Sequence, residues 1–191
     1  MNQGLNRTVP APEPKGATLH LTLDEVEHER RQYLASPPIL DIATLDLLLA
    51  LPVGIPVAIG ALEWRQQRNL RQLLRGAAVV TRTHVTRHAV RPCRIDLATV
   101  SGPPTRRSLE RAGWFAPFCS RELIIPRAPR RKDFLAEADF WGIGVTLDHG
   151  SEQEVLVEPE PWVLKRHTPA GWRYVERAYK AATVATVREA A

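Results

Sequence analysis

The sequence predicts an α+β fold: a helical N-terminal part, then a mixed sheet of four to six short strands flanked by helices. Three observations carry this. Apolar residues recur at helical spacing before about residue 76 and again after Thr168. Between them, short β-branched runs alternate with period two and are punctuated by Gly and Pro. At 191 residues, with 44% hydrophobic and 25% charged side chains, the chain can bury a core without disulfides or metal.

The elements follow in order. Residues 1–17 are rich in Pro and small residues and are expected to be a disordered tail, with 18–191 a single domain. Thr22-Leu23-Asp24-Glu25 matches a capping box, which opens a helix stopped by Pro37-Pro38. Its thin apolar stripe is Leu23, Val26, Arg30 and Tyr33. Asp41 is placed to cap a second helix that ends before Pro52. Residues 47–62 are uncharged, but Pro52, Gly54 and Pro56 interrupt them, and a membrane-spanning helix needs about 20 residues. Pro56 and Gly76 bracket a third helix, about residues 57–75. On its wheel the leucines oppose Arg65, Arg68, Arg71 and Arg75, which span about 120° of arc. Glu63 and Gln66 fall on the apolar side, where a polar group needs a partner or a purpose.

Residues 77–90 then take strand period and form a hairpin with RIDLATV (94–100) across the turn at Arg91-Pro92-Cys93. Strict alternation in the second strand puts Ile95, Leu97 and Thr99 on one face and Arg94, Asp96, Ala98 and Val100 on the other. Thr105 caps a short helix ended by Gly113. RELIIP is a strand, residues 132–141 a helix, and GIGVTL and EVLVEP two further strands. Thr168-Pro169 opens a last helix, whose Trp172, Val175, Tyr179 and Ala182 form a stripe expected to pack on the sheet.

Charge separates the function classes. Residues 1–60 carry a net −3, residues 61–132 a net +12 and residues 133–191 a net −4. Such a central segment favours an anionic partner, with nucleic acid the first candidate. Of the 26 basic residues 22 are Arg, whose fork suits phosphate. Arg106, Arg107 and Arg111 stand beside Trp114 and Phe115, an interleaving able to stack on bases as well as neutralise phosphate. The alternative is a non-enzymatic interaction or regulatory module whose basic segment meets an acidic protein partner, a second copy of the chain, or the chain's own acidic flanks. No membrane partner is expected. With no apolar N-terminal core to act as an export signal, a cytoplasmic location with reduced thiols is expected. Two cysteines exclude a disulfide scaffold and an all-cysteine zinc site. There is no phosphate-cradling glycine loop and no H-E-x-x-H. Cys119 has Arg121 close by, a setting that can activate a thiol.

One constellation of acids stands out. A helix with an inward Glu63 is followed by a strand with Asp96, a strand with Glu122, a helix and another strand. This order resembles the restriction-endonuclease-like nuclease superfamily, over about residues 57–148. Its members place Glu on a helix, Asp on a strand and Glu-x-Lys on the next strand. The resemblance implies Glu63, Asp96 and Glu122 as catalytic residues, with Asp96 and Glu122 holding Mg²⁺. Ile124 stands where that pattern has Lys, which makes a degenerate, non-cleaving relative the other implication; Arg127 and Lys132 are the nearby cations. Independently of the resemblance, Asp96 is also placed to pair with Arg82, Arg87 or Arg94 across the expected hairpin.

Overall fold

A computed structural model describes residues 5–189, with side chains described through Val184. The fold is α+β. In chain order the elements are β1 (Leu5–Pro10), β2 (Ala17–Leu23), α1 (Glu25–Leu34), α2 (Ile42–Ala50) and β3 (Pro56–Ala58). Then come α3 (Trp64–Asn69), β4 (Ala78–Val80), β5 (His84–Arg87), β6 (Cys93–Ser101), α4 (Arg106–Gly113) and β7 (Ser120–Ile125). The chain closes with α5 (Phe134–Phe140), β8 (Ile143–Asp148), β9 (Gln153–Val157) and α6 (Pro169–Glu189).

Two expectations about organisation change. The tail expected over 1–17 contains β1, an edge strand of the main sheet. Only Val9 of that strand is buried, so backbone pairing with β2 holds it and no apolar pattern announces it. Where one domain was expected over 18–191, the chain divides into two compact units, one built from residues 23–94 and 166–183, the other from 6–22 and 95–165.

The first unit holds α1, α2, α3, α6 and a three-stranded antiparallel sheet in the order β3-β5-β4. Asp24 caps α1 by accepting from the Glu27 N–H, and Asp41 caps α2 by accepting from the Thr44 N–H. The α1 start is thus two residues later than the capping-box reading. Its buried face is ionic, Glu27 and Arg31, while Val26 and Tyr33 of the expected apolar stripe are exposed. The hairpin of this region is formed by β4 and β5 around Thr81–Thr83, not by residues 77–90 with β6. Gly76 ends the segment before β4 with φ +80°, a conformation that favours glycine, and a Cβ there would also have to displace the Ser36 hydroxyl.

The stripe of α6 is buried as expected, and the neighbours of Trp172 come from α2 and from residues outside the strands of the small sheet. Trp172 sits among Ile39, Leu45, Leu48, Ala77 and Ala89 rather than on a large sheet. Beside it lies a buried ion cluster. Arg31 donates two hydrogen bonds to Glu176 (2.7 and 2.8 Å) and one to Glu27 (2.6 Å). Burial alone would lower the Arg31 pKa, but the hydrogen bonds and charges of Glu176 and Glu27 raise it above its ordinary value.

The second unit is built on the six-stranded sheet, in the order β1-β2-β6-β7-β8-β9. β6, β7 and β8 are parallel, joined through α4 and α5, and β9 returns antiparallel to β8. Parallel neighbours need such helical crossovers. β2 alternates cleanly: Ala17, Leu19, Leu21 and Leu23 are buried, with Thr18, His20 and Thr22 on the other face.

Candidate nucleic-acid interface and the acidic sheet face

The continuous helix expected over 57–75 does not form. Pro56 lies in β3, residues 59–61 and 70–72 are 3₁₀ turns, and only Trp64–Asn69 is α-helical. Pro52, Gly54 and Pro56 precede Ile59 and Gly60 follows it, which leaves too little good helix former to nucleate a longer helix. The orientation of the segment nevertheless agrees with the wheel. Leu62, Leu70 and Leu73 pack against Leu47, Leu51 and Val85. Arg65, Arg68, Arg71 and Arg75 are all exposed. None of the four guanidinium groups forms an ion pair among the described residues. Trp64, which the sequence reading passed over, is 66% exposed, and the Arg65 guanidinium carbon lies 5.5 Å from its ring centre.

The unit that carries these arginines is basic on balance: residues 23–94 and 166–183 hold 14 basic and eight acidic side chains. Glu27 and Glu176 are enclosed by Arg30 and Arg31, and Asp24 and Asp41 are spent as caps. Arg87, by contrast, is a structural cation. It donates to the Leu48, Leu51 and Ala89 carbonyls and lies 4.8 Å above the Trp172 ring.

The second basic group is partly consumed. On α4, Arg106 pairs with Glu110 at 3.3 Å and Arg111 donates to the Gly16 carbonyl. Arg107 is exposed. Phe115 is fully buried, and Trp114 rests on Phe115 and Phe118, so Phe115 offers no face to a base.

The three acids predicted as a catalytic group meet different fates. Glu63 does not turn into a core. It is exposed at the start of α3, where its N–H donates to Gln66 Oε1 at 3.0 Å, and it belongs to the first unit. Asp96 and Glu122 both lie in the second unit, on β6 and β7. Strict alternation would separate them, because Thr99, not Ala98, pairs with Glu122. The alternation slips: the apolar residues buried in β6 are Cys93, Ile95, Ala98 and Val100, so its phase shifts by one at Asp96-Leu97. Asp96 and Glu122 therefore share one face with His20 and a set of threonines.

That face carries a hydrogen-bonded ladder across five strands. Thr22 Oγ1 donates to Asp96 Oδ2 at 2.6 Å. His20 Nδ1 and Nε2 meet Thr8 Oγ1 at 3.5 Å and Thr99 Oγ1 at 3.1 Å. Thr99 donates to Glu122 Oε2 at 3.4 Å, and Thr146 to Glu122 Oε1 at 2.7 Å. His20 and the threonines were not read from the sequence, although Thr18-x-His20-x-Thr22 is a period-two polar row and was legible as one. Along β6 Asp96 is three residues from Thr99, which is roughly 10 Å of strand, so the two acids sit at different levels, each engaged by its own threonine. Among the described residues no three His, Cys, Asp or Glu side chains gather closely enough to hold one metal ion. Asp96 and Glu122, the pair that the resemblance implies as Mg²⁺ ligands, are each engaged by threonine hydroxyls on this face.

Cys119 is fully buried, and burial pushes its thiol up to about 12, against the opposing pull of Arg121. It is a packed thiol and not an activated nucleophile. No described helix is long and apolar enough to cross a membrane. Comparison with family models, with curated proteins and with solved structures finds no match to this chain.

Proposed function

We propose that the chain binds nucleic acid through the segment from Trp64 to Arg75. The observation that carries this reading is four exposed, unpaired guanidinium groups set around an exposed tryptophan on a firmly packed base. Arginine forks neutralise phosphate, and an exposed indole stacks on an unpaired base, so a single strand is the favoured form. The acidic flanks of the sequence are the main objection to a basic binding surface, and within this unit the basic side chains outnumber the acidic ones.

Fluorescence anisotropy with a labelled single strand and a labelled duplex, across a salt series, tests it. Arg68→Gln with Arg75→Gln should lower the salt slope by about 1.4 on a single strand, at about 0.7 per phosphate contact. Trp64→Ala should cost about 1–3 kcal/mol of single-strand affinity. An unchanged slope in the double variant removes these residues from the interface. A salt-sensitive surface for an acidic protein would keep the slope effect but be indifferent to Trp64→Ala.

The same preparation decides the nuclease question. Binding without cleavage in Mg²⁺ is the expected outcome, because Asp96 and Glu122 are held by separate threonines and Ile124 replaces the lysine. Mg²⁺-dependent cleavage that disappears in Asp96→Ala would restore the catalytic reading.

A further inference from the structure

A cavity of about 270 Å³ lies in the second unit between α4, β7 and α5. It is slightly smaller than pockets for drug-sized ligands, so it suits one ring system rather than a whole nucleotide. Its walls include Leu109 and Ile143, and the half-exposed ring of Trp141 forms one side. Arg121 also lines it. That side chain is 12% exposed, and its Nε is buried with no acceptor. Its Nη2 has only long contacts, 3.4 Å to the Gly142 carbonyl and 4.0 Å to Glu160. An unmade hydrogen bond at a buried guanidinium is costly, so a ligand that supplies an acceptor there gains more than one surface contact would suggest.

The remaining polar lining restricts the ligand. Glu110 and Glu137 both face the cavity, and each is already engaged by an arginine, Arg106 at 3.3 Å and Arg131 at 3.6 Å. Two carboxylates disfavour a simple anion as the partner of Arg121. They favour a neutral ring with acceptors on one edge and N–H donors on another. Among the bases guanine has this pattern: O6 and N7 accept from an arginine fork, and N1–H and the N2 amino group donate to a carboxylate. Adenine would set its N6 amino group against the guanidinium. The aromatic wall supplies the stacking that an unpaired base needs.

We infer that this cavity binds an unpaired guanine base, with Arg121 donating to its acceptor edge, Glu137, the more enclosed of the two carboxylates, accepting from its donor edge, and Trp141 as the stacking wall. The inference does not depend on the Trp64–Arg75 surface, because the free nucleoside is the probe. Calorimetric titration of the full chain with guanosine and adenosine should show guanosine at least tenfold tighter. Arg121→Gln should weaken guanosine tenfold or more, with its melting temperature recorded alongside. If that variant does not fold, Glu137→Gln decides: it should reduce the preference for guanosine over adenosine. Guanosine monophosphate and the pentamers UUGUU and UUAUU separate the two sources of the base. Tighter binding of UUGUU than of the mononucleotide assigns the site to a strand, and the reverse to a free nucleotide. Equal affinity for guanosine and adenosine, no guanosine binding, or an unchanged preference in Glu137→Gln overturns the inference.

Discussion

Glu176→Ala is expected to destabilise the first unit by about 3–5 kcal/mol, among the largest effects of any single substitution in this chain. Glu176 is completely buried and accepts four hydrogen bonds from three residues. It accepts both terminal nitrogens of Arg31, the Trp172 indole N–H at 2.9 Å and the Ile39 N–H at 3.1 Å. Removing the carboxylate leaves a buried guanidinium with Glu27 and the Val90 carbonyl as its remaining acceptors, and leaves two other donors unpaired. An unpaired buried charge costs far more than a paired one contributes. Urea denaturation followed by tryptophan fluorescence reads the effect as a lower midpoint at similar slope. Glu176→Leu combined with Arg31→Met should recover only part of the loss, because it removes the buried charge pair but leaves the Trp172 and Ile39 N–H groups without this acceptor and Glu27 with Arg30 alone. If Glu176→Ala unfolds at the wild-type midpoint, the cluster is solvated in the native state and the burial argument fails.

That cluster also shows why some of the fold was hidden in the sequence. Helical period is legible in α1, but its inward face is ionic, and apolarity alone does not mark burial there. Here Glu27 and Arg31 are inside and Val26 and Tyr33 outside. The acceptor that makes this affordable, Glu176, lies 145 residues away on α6, and no local pattern can announce it. The elements from α4 to β9 are readable in order and nearly to the residue, since Thr105 caps α4, Gly and Pro punctuate the segments and the period of each is clear. β1 was not, having one buried residue. β2 was readable from Ala17-x-Leu19-x-Leu21-x-Leu23, but the competing capping-box match at Thr22–Glu25 drew that segment toward helix.

The candidate sites divide along the same line. Exposure of Arg65, Arg68, Arg71 and Arg75 followed from the leucines opposite them, even though the helix assumed in drawing the wheel is broken. Local amphipathicity survives a change of helix type, because the same leucines must still reach Leu47, Leu51 and Val85. The acids are the opposite case. Asp96 and Glu122 share a face only because the alternation of β6 slips by one residue, a tertiary detail that period two cannot show. The Arg121 cavity is likewise assembled from α4, β7, α5 and β8 of the second unit, so only the folded chain displays it.

Trp172→Ala should cost about 3–5 kcal/mol, the range for deleting a large buried aromatic. The ring is fully buried among Ile39, Leu45, Leu48, Ala77 and Ala89, residues drawn from the α2 region and the segments flanking the small sheet. Its loss therefore loosens α6 from several partners at once, and strips the Arg87 guanidinium of the face it covers. Against a total stability of about 5–15 kcal/mol, such a loss leaves the unit marginal near 37 °C. The Trp172 N–H also donates to Glu176, so this substitution and Glu176→Ala share part of their cost. The double variant should be less destabilised than the sum of the two, by about 0.5–3 kcal/mol, as expected of residues in direct contact. Trp172→Phe refills most of the space without the indole N–H and should fall between wild type and Trp172→Ala. Strict additivity in the double variant would mean that the indole N–H and the carboxylate act independently, which a 2.9 Å buried hydrogen bond does not allow. A wild-type midpoint for Trp172→Ala would place the ring outside the core and free it to act as a second stacking surface.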